Sequence, residues 1–261
     1  KEDGDVFWET ELGKGRPGWH IECSVMSAAN LGGTFDIHTG GVDLIFPHHT
    51  NEIAQSEAAY DKKFCNYWLH NEHLIVNGHK MSKSLGNFFT LKDLLDKGYD
   101  PKAIRYELLS IHYRTKMDFR EEHLKKIPEI LQKFYDFLDK LDECNGQGID
   151  VSVIIDKAKI AFEKEMDNDL NISGGLAAIF DFMSSINKLM KDLSESDASS
   201  VKEAMMKFDS VLGVMEHEKG TLDYEIQDLV DKREKARTQK DFATADKIRD
   251  ELKEKGIVLE D

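Results

Sequence analysis

Near Thr90 the apolar residues of this chain change period, and that change limits the folds open to it more than any other feature. Before it, short β-rich runs are separated by glycine turns; after it, apolar residues recur at three- and four-residue spacing through one stripe after another. In the first part, Trp19 to Ala29 contains no breaker and reads as a buried helix closing at Leu31-Gly32-Gly33. Thr34-Phe35-Asp36-Ile37-His38 alternates as a strand does and ends at the Gly40-Gly41 turn. Pro47 suits the first position of a helix running through Ala54 and Ala58 to about Tyr60, and Leu69 to Val76 holds a second short strand. Helix, strand, glycine turn, helix and strand again is the rhythm of an α/β nucleotide-binding fold.

The second part reads as helices only. Thr90 is placed to cap a helix through Leu91, Leu94 and Leu95 that stops at Gly98, and Asp100-Pro101 opens another through Ile104, Leu108 and Ile111. From Glu121 to about Glu143, the stripe Leu124, Ile127, Leu131, Phe134, Leu138 and Leu141 predicts one helix kinked at Pro128. Asn145-Gly146-Gln147-Gly148 reads as a linker. Further stripes run over Val153–Met166, Leu176–Leu193 and Val201–Met215, with their Met and aromatic residues as bundle core. Tyr224 to Lys255 mixes both charge signs and reads as a solvated pair of helices. Asp241 caps the second, Ala243 and Ala245 leave room for close packing, and Gly256 ends it.

Charge and cysteine usage exclude several classes. A net charge of −15 is the wrong sign for a general nucleic-acid binder, so any contact with RNA must use local basic patches. Three widely separated cysteines, Cys23, Cys65 and Cys144, do not make a disulfide framework, which favours a reducing, cytoplasmic setting. No apolar run approaches the roughly 20 residues that a membrane span needs, and no signal peptide is visible. The chain opens at Lys1 without a methionine, so an internal start is the expectation.

Two constellations carry chemistry. Lys80-Met81-Ser82-Lys83-Ser84, running into Leu85-Gly86-Asn87, sets two compact cations among hydroxyls and backbone N–H groups, a composition suited to a loop closing over a polyphosphate. A solvated basic turn is the plainer origin of the same string. The second set is Cys23 with Pro47-His48-His49-Thr50-Asn51-Glu52. On a helix, His48 and Glu52 share a face, and Cys23 would bring a thiolate from a separate element. Sulfur, nitrogen and oxygen ligands together suit zinc in tetrahedral geometry. By spacing alone, His49 fits as well as His48, and a buried cysteine beside a helical His–Glu pair is the commoner explanation.

The lysine pentapeptide resembles the second signature loop of class I aminoacyl-tRNA synthetases. The blocks from Gly15-Arg16-Pro17-Gly18-Trp19-His20-Ile21-Glu22-Cys23-Ser24 through Phe35-Asp36-Ile37-His38, Gly40-Gly41-Val42-Asp43-Leu44-Ile45-Phe46-Pro47-His48-His49 and Asn51-Glu52-Ile53-Ala54-Gln55-Ser56 are similar to the cysteinyl-tRNA synthetase family. The likeness is close from Gly15 to Asp118 and weaker through to Asp261.

What the resemblance implies is specific. The fold would be the C-terminal half of a Rossmann-type class I catalytic core followed by an all-α bundle: 1–79 the catalytic half with the zinc site, 80–120 the lysine loop and a connecting segment, 121–261 a tRNA-binding bundle. Zinc would be held by Cys23, His48 and Glu52, with a further cysteine and a His-x-Gly-His turn expected upstream of Lys1; the chain alone would then be catalytically incomplete. Lys80 and Lys83 would act on ATP, bound with Mg2+, in the loop Lys80, Met81, Ser82, Lys83 and Ser84. Asp43 would meet the α-ammonium of cysteine, and Trp19 and His38 would shape its pocket. The reaction would be formation of cysteinyl-adenylate and transfer of cysteine to tRNA(Cys), by a monomer. Ile257-Val258-Leu259 would begin the segment that reaches the anticodon. The alternatives are a zinc-dependent cysteine ligase acting on an amino sugar and a non-catalytic helical RNA-binding paralogue.

Overall fold

Glycine turns, caps and one proline decide where the elements of this chain begin and end. The computed structural model describes residues 6–217, 224–238 and 241–254. Strands β1 (Trp8–Thr10) and β2 (Gly13–Gly15) form a small antiparallel hairpin. Helix α1 (Trp19–Leu31) follows and is closed by Gly32 at φ 90°, then come β3 (Phe35–Gly41), a short turn over Val42–Leu44 and a wider one over Ile45–His49. Phe46 alone is non-helical in that wider turn, and α-helical hydrogen bonding starts at α2 (Thr50–Tyr60), three residues later than Pro47 suggested. Strand β4 (Cys65–Asn71) returns parallel to β3, in register Ile37 with Tyr67 and His38 with Trp68. The strand expected over Leu69 to Val76 is therefore two, because β5 (Leu74–Val76) belongs to another sheet.

That sheet has the order β6–β5–β7, with β6 (His79–Lys80) antiparallel and β7 (Met117–Phe119) parallel to β5. Between them lie α3 (Leu91–Asp96) and α4 (Pro101–Leu109). The sequence caps act as expected: Thr90 and Asp93 form a reciprocal capping box, and Asp100 accepts from the Lys102 N–H ahead of Pro101. Pro128 does not kink one long helix. The chain makes a separate turn of helix, α5 (Glu121–Leu124), and Pro128 lies in the first turn of α6 (Ile127–Asp142), where its missing N–H costs no hydrogen bond.

Helices α7 (Ser152–Asp167), α8 (Ile172–Asn187) and α9 (Glu195–Leu212) complete the bundle. The segment 145–148 connects them without being loose, since Gly146 and Gly148 donate to the carbonyls of Leu193 and Asp192 at 2.7 and 2.9 Å. Arg105 of α4 donates to the Leu212 and Val211 carbonyls at the end of α9, tying the two parts of the chain together. His217 to Asp261 forms a second compact unit containing α10 (Tyr224–Thr238) and α11 (Phe242–Glu254). Asp241 caps α11 by accepting from Thr244, and Ala245 is buried while Ala243 is exposed. Gly256 and Ile257-Val258-Leu259 lie outside the described residues.

One continuous apolar core runs from Val76 to Met215 and includes the whole stripe from Leu124 to Leu141. Leu74 packs against it, and residues 6–73 contribute none of it; their buried apolar side chains, among the described residues, are Phe64 and Cys65. Helix α1 is correspondingly not the buried helix its composition suggests: Trp19 is 59%, Val25 55% and Met26 63% exposed. Ile37 and Tyr67, paired across β3 and β4, are exposed as well. What this layer buries is polar: Ser24, His48, His49, Glu52 and Ser56. No described helix is long and apolar enough to cross a membrane.

Candidate metal centre and lysine loop

The polar interior of the first layer is built from three elements. Cys23 comes from the second turn of α1, His48 from the wide turn before α2, and Glu52 from the first turn of α2. Ligand atoms of these three all lie within 4.8 Å of one another. Glu52 has no exposed surface. Its Oε1 is 2.8 Å from Nε2 of His48, an ion-pair contact outside hydrogen-bond geometry. A buried carboxylate oxygen and an imidazole nitrogen that converge in this way are suited to a shared cation, which would satisfy both.

The surroundings orient the set. His48 and His20 share a hydrogen bond between their Nδ1 atoms at 2.7 Å. When His48 is the donor, its Nε2 lone pair is free to act as a ligand. The Trp19 ring lies on His48 at 4.2 Å between centroids. Burial, and then the Glu52 charge, push the Cys23 thiol above its ordinary range. A thiolate there needs a neighbouring cation.

His38 does not stand free at its strand end. Its Nε2 lies 2.7 Å from Glu52 Oε2, so it braces the carboxylate from the side away from His48. His38, His49 and Glu52 form a second close set, sharing the Glu52 side chain with the first. Burial foremost, then His38, holds His49 down to about 4, so His49 is neutral near pH 7. His49 Nδ1 lies 2.8 Å from His70 Nε2. Gly40 is required here, because a β-carbon would meet the His49 ring at 2.7 Å.

Trp68 stacks on His38 at 4.6 Å and on His70 at 5.9 Å. His20, Trp68 and His70 escaped the sequence reading. Trp68 and His70 stand two apart on β4 and so share a face, which is the one signal that could have found them. Asp43 is exposed on its turn, and its side chain folds back over Gly41.

The lysine loop leaves β6 on the other sheet. Lys80 is the last residue of that strand, and Lys83 opens a single 3-10 turn over Lys83–Leu85 closed by Gly86 at φ 66°. Asn87 holds the neck shut: its Oδ1 accepts from the Ser82 N–H at 2.8 Å, and its Nδ2 donates to the Lys80 carbonyl at 3.1 Å. Met81 packs against the core, so the loop is anchored between two exposed lysines. Lys83 Nζ rests 5.5 Å from the Phe88 ring centre, and Ser82 and Ser84 pair their hydroxyls at 3.2 Å.

Comparisons with known proteins agree along the whole chain. Residues 1–129 match the family described as tRNA synthetases class I (C) catalytic domain. Residues 161–216 match a DALR domain, and residues 219–261 match a cysteinyl-tRNA ligase anticodon binding domain. The cysteine–tRNA ligase of Chlamydia felis is 45% identical over 266 residues, 99% of this chain and 56% of its own length. That of Leptospira interrogans is 45% identical over 276 residues, 100% of this chain and 58% of its own length. The chain thus spans a little over half the length of these relatives. A crystal structure of an Agrobacterium radiobacter LeuRS–tRNA–LeuAMS ternary complex is similar at a TM-score of 0.57 and 15% identity, over 69% of this chain and 26% of that one. That likeness concerns the fold alone.

Proposed function

Because this chain belongs to the cysteinyl-tRNA synthetase family, with part of a class I catalytic fold followed by a helical DALR region, we propose that it supplies the metal-binding, lysine-loop and tRNA-facing parts of a cysteine–tRNA ligase. The reaction joins cysteine and ATP as cysteinyl-adenylate, releases pyrophosphate, and passes the cysteinyl group to tRNA(Cys). The observation that carries this reading is the convergence of the buried Glu52 Oε1, His48 Nε2 at 2.8 Å from it, and the Cys23 sulfur, all within ligand reach of one another. We assign 1–79 to the catalytic half, 80–120 to the loop and connecting segment, and 121–261 to tRNA.

Cys23, His48 and Glu52 would hold the zinc. When bound, the ion offers a soft Lewis-acid position that favours the sulfur of cysteine over the hydroxyl of serine, a near-isostere that pocket shape alone separates poorly. His38 holds the Glu52 carboxylate, and Trp19 holds the His48 ring. Asp43, exposed beyond the glycine turn, is the proposed partner of the substrate ammonium. Lys80 and Lys83 would offset the charge of the ATP phosphates, with Mg2+ accompanying the nucleotide, as the cysteine carboxylate attacks the α-phosphorus. No protein nucleophile is needed. The anticodon-binding match over 219–261 supports tRNA as acceptor and leaves the amino-sugar alternative without support. A monomer in a cytoplasmic setting remains part of the proposal.

The test is the metal. Purified protein, stripped with chelator and dialysed against zinc, is expected to take up about one ion per chain. His48→Ala and Cys23→Ala should lose it while His49→Ala keeps it. Loss of zinc from the His49 variant alone would move the site to the second histidine set and defeat this assignment.

A further inference from the structure

The catalytic match ends at residue 129 and the DALR match begins at 161, yet besides the Arg105 contact with the end of α9 a second side-chain cluster joins them. His112, Tyr113 and Arg114 follow α4, and Asp169 lies in the turn between α7 and α8. Tyr113 donates its hydroxyl to Asp169 Oδ1 at 2.5 Å, and Arg114 Nε lies 2.7 Å from Asp169 Oδ2 and 3.0 Å from the Tyr113 oxygen. His112 Nε2 donates to the Asp169 carbonyl at 2.8 Å while its Nδ1 accepts from the Arg114 N–H at 3.2 Å, a consistent neutral tautomer. Ser173 of α8 adds a bond to the Ser110 carbonyl at 3.0 Å. Three successive residues thus grip one turn.

The turn they grip is unusual. Asp169 and Leu170 stand consecutively at φ 56° and 57°, a left-handed conformation that a β-carbon disfavours and that is rarely repeated in succession. The Arg114 side chain is 63% and the Asp169 side chain 44% exposed. Ion pairs so exposed add little to stability, so the value of this arrangement lies in the position it fixes. On its other side the tripeptide is joined to the candidate site: the Glu72 N–H donates to the Tyr113 carbonyl at 2.8 Å, immediately beyond β4, whose His70 meets His49.

We propose that the His112-Tyr113-Arg114 clasp on Asp169 sets the position of the helical bundle against the catalytic layer, and that it serves transfer to tRNA rather than activation of cysteine. These are positioning residues; none touches the candidate metal ligands or the lysine loop. Activation needs groups that all lie on the catalytic side. Transfer needs an acceptor held by the bundle to meet them in register, where a misplacement of about 1 Å can cost a hundredfold. The assignment of a step rests on the synthetase reading above; the positional role does not.

The test has two arms. In the intact synthetase polypeptide, Tyr113→Phe/Arg114→Gln should reduce kcat/KM for tRNA charging by about tenfold or more, while cysteine-dependent pyrophosphate exchange stays within about twofold. The unfolding midpoint should be unchanged. Unimpaired charging, or a parallel fall of both activities with a lower midpoint, would overturn the proposal. If the unmodified enzyme does not activate cysteine, it is the synthetase reading that fails. The second arm reads position directly in the present chain. Probes at the exposed Asn66 of β4 and Ser184 of α8 should report one narrow distance distribution that broadens in the double variant. An unaltered distribution would overturn the clasp irrespective of the reaction.

Discussion

Glu52 shows how one fully buried carboxylate can organise a layer that has almost no apolar interior. Its two oxygens face different imidazoles, Oε1 toward His48 and Oε2 toward His38. The sequence made His48 and Glu52 legible because positions four apart on a helix share a face. It placed His38 at the substrate pocket and named no partner for it, because a strand-end histidine carries no sign of which helix will cover it. His38→Ala should lower zinc affinity by about 10- to 100-fold, as loss of a group that orients a metal ligand typically does. Competition with a chelator of known affinity measures this, and an unchanged affinity would return His38 to the substrate pocket. Cys23, whose sulfur lies near Glu52 and His48 together, favours His48 over His49 as the proposed ligand; no spacing rule contained that information.

Local chemistry announces the elements here wherever a cap fixes them. Thr90 with Asp93, Asp100 before Pro101, and Asp241 with Thr244 were readable because each satisfies backbone N–H groups within three residues. Elements held only by distant partners were not readable. Hairpin β1–β2 and strand β7 span three residues each, too few to show a period, and α1 looked buried because its composition cannot reveal what covers it. Helix α9 carries a cap that the stripe alone did not show: Ser194 and Asp197 form a capping box, and Asp197 also accepts from the Ile149 N–H. Ser194→Ala should cost about 1 kcal/mol in thermal or urea unfolding at neutral pH. The Ser194 hydroxyl, followed by backbone donors, holds the Asp197 carboxyl below its usual range. A depressed carboxyl contributes stability that is complete above the unfolded value near 4 and is lost as pH falls through the folded value. The difference between wild type and Ser194→Ala should therefore hold steady above about pH 5 and shrink in more acidic solution. A difference independent of pH would show that Asp197 takes no part.

At the scale of the molecule the chain is uneven. A single apolar core serves the part from Val76 to Met215, while the layer before it leaves Trp19, Val25, Met26, Ile37 and Tyr67 on the outside. Parallel strands are ordinarily covered on both faces, so the sheet face that carries Ile37 and Tyr67, opposite His38 and Trp68, has the character of an interface. A net charge of −15 opposes its self-association. Raising salt shortens the reach of that repulsion to roughly 8 Å at physiological strength and about 3 Å at 1 M. Light scattering of the chain should show larger species as sodium chloride increases, and Ile37→Lys/Tyr67→Lys should abolish them. A salt-independent particle size would mean that the face is not adhesive.

The polar interior of that same layer has a consequence for how it comes to be folded at all. Where an α/β layer ordinarily places valine and leucine between helix and strand, this one places polar side chains, and Cys23 reaches across from α1 toward the other two proposed ligands, His48 and Glu52. Acquisition of the ion would then be a staple as much as a chemical event, added to the Ser24–Gln55, His20–His48 and Trp19–His48 contacts between the same elements. For residues 6–71, the distinction between a cofactor and a hydrophobic core largely disappears.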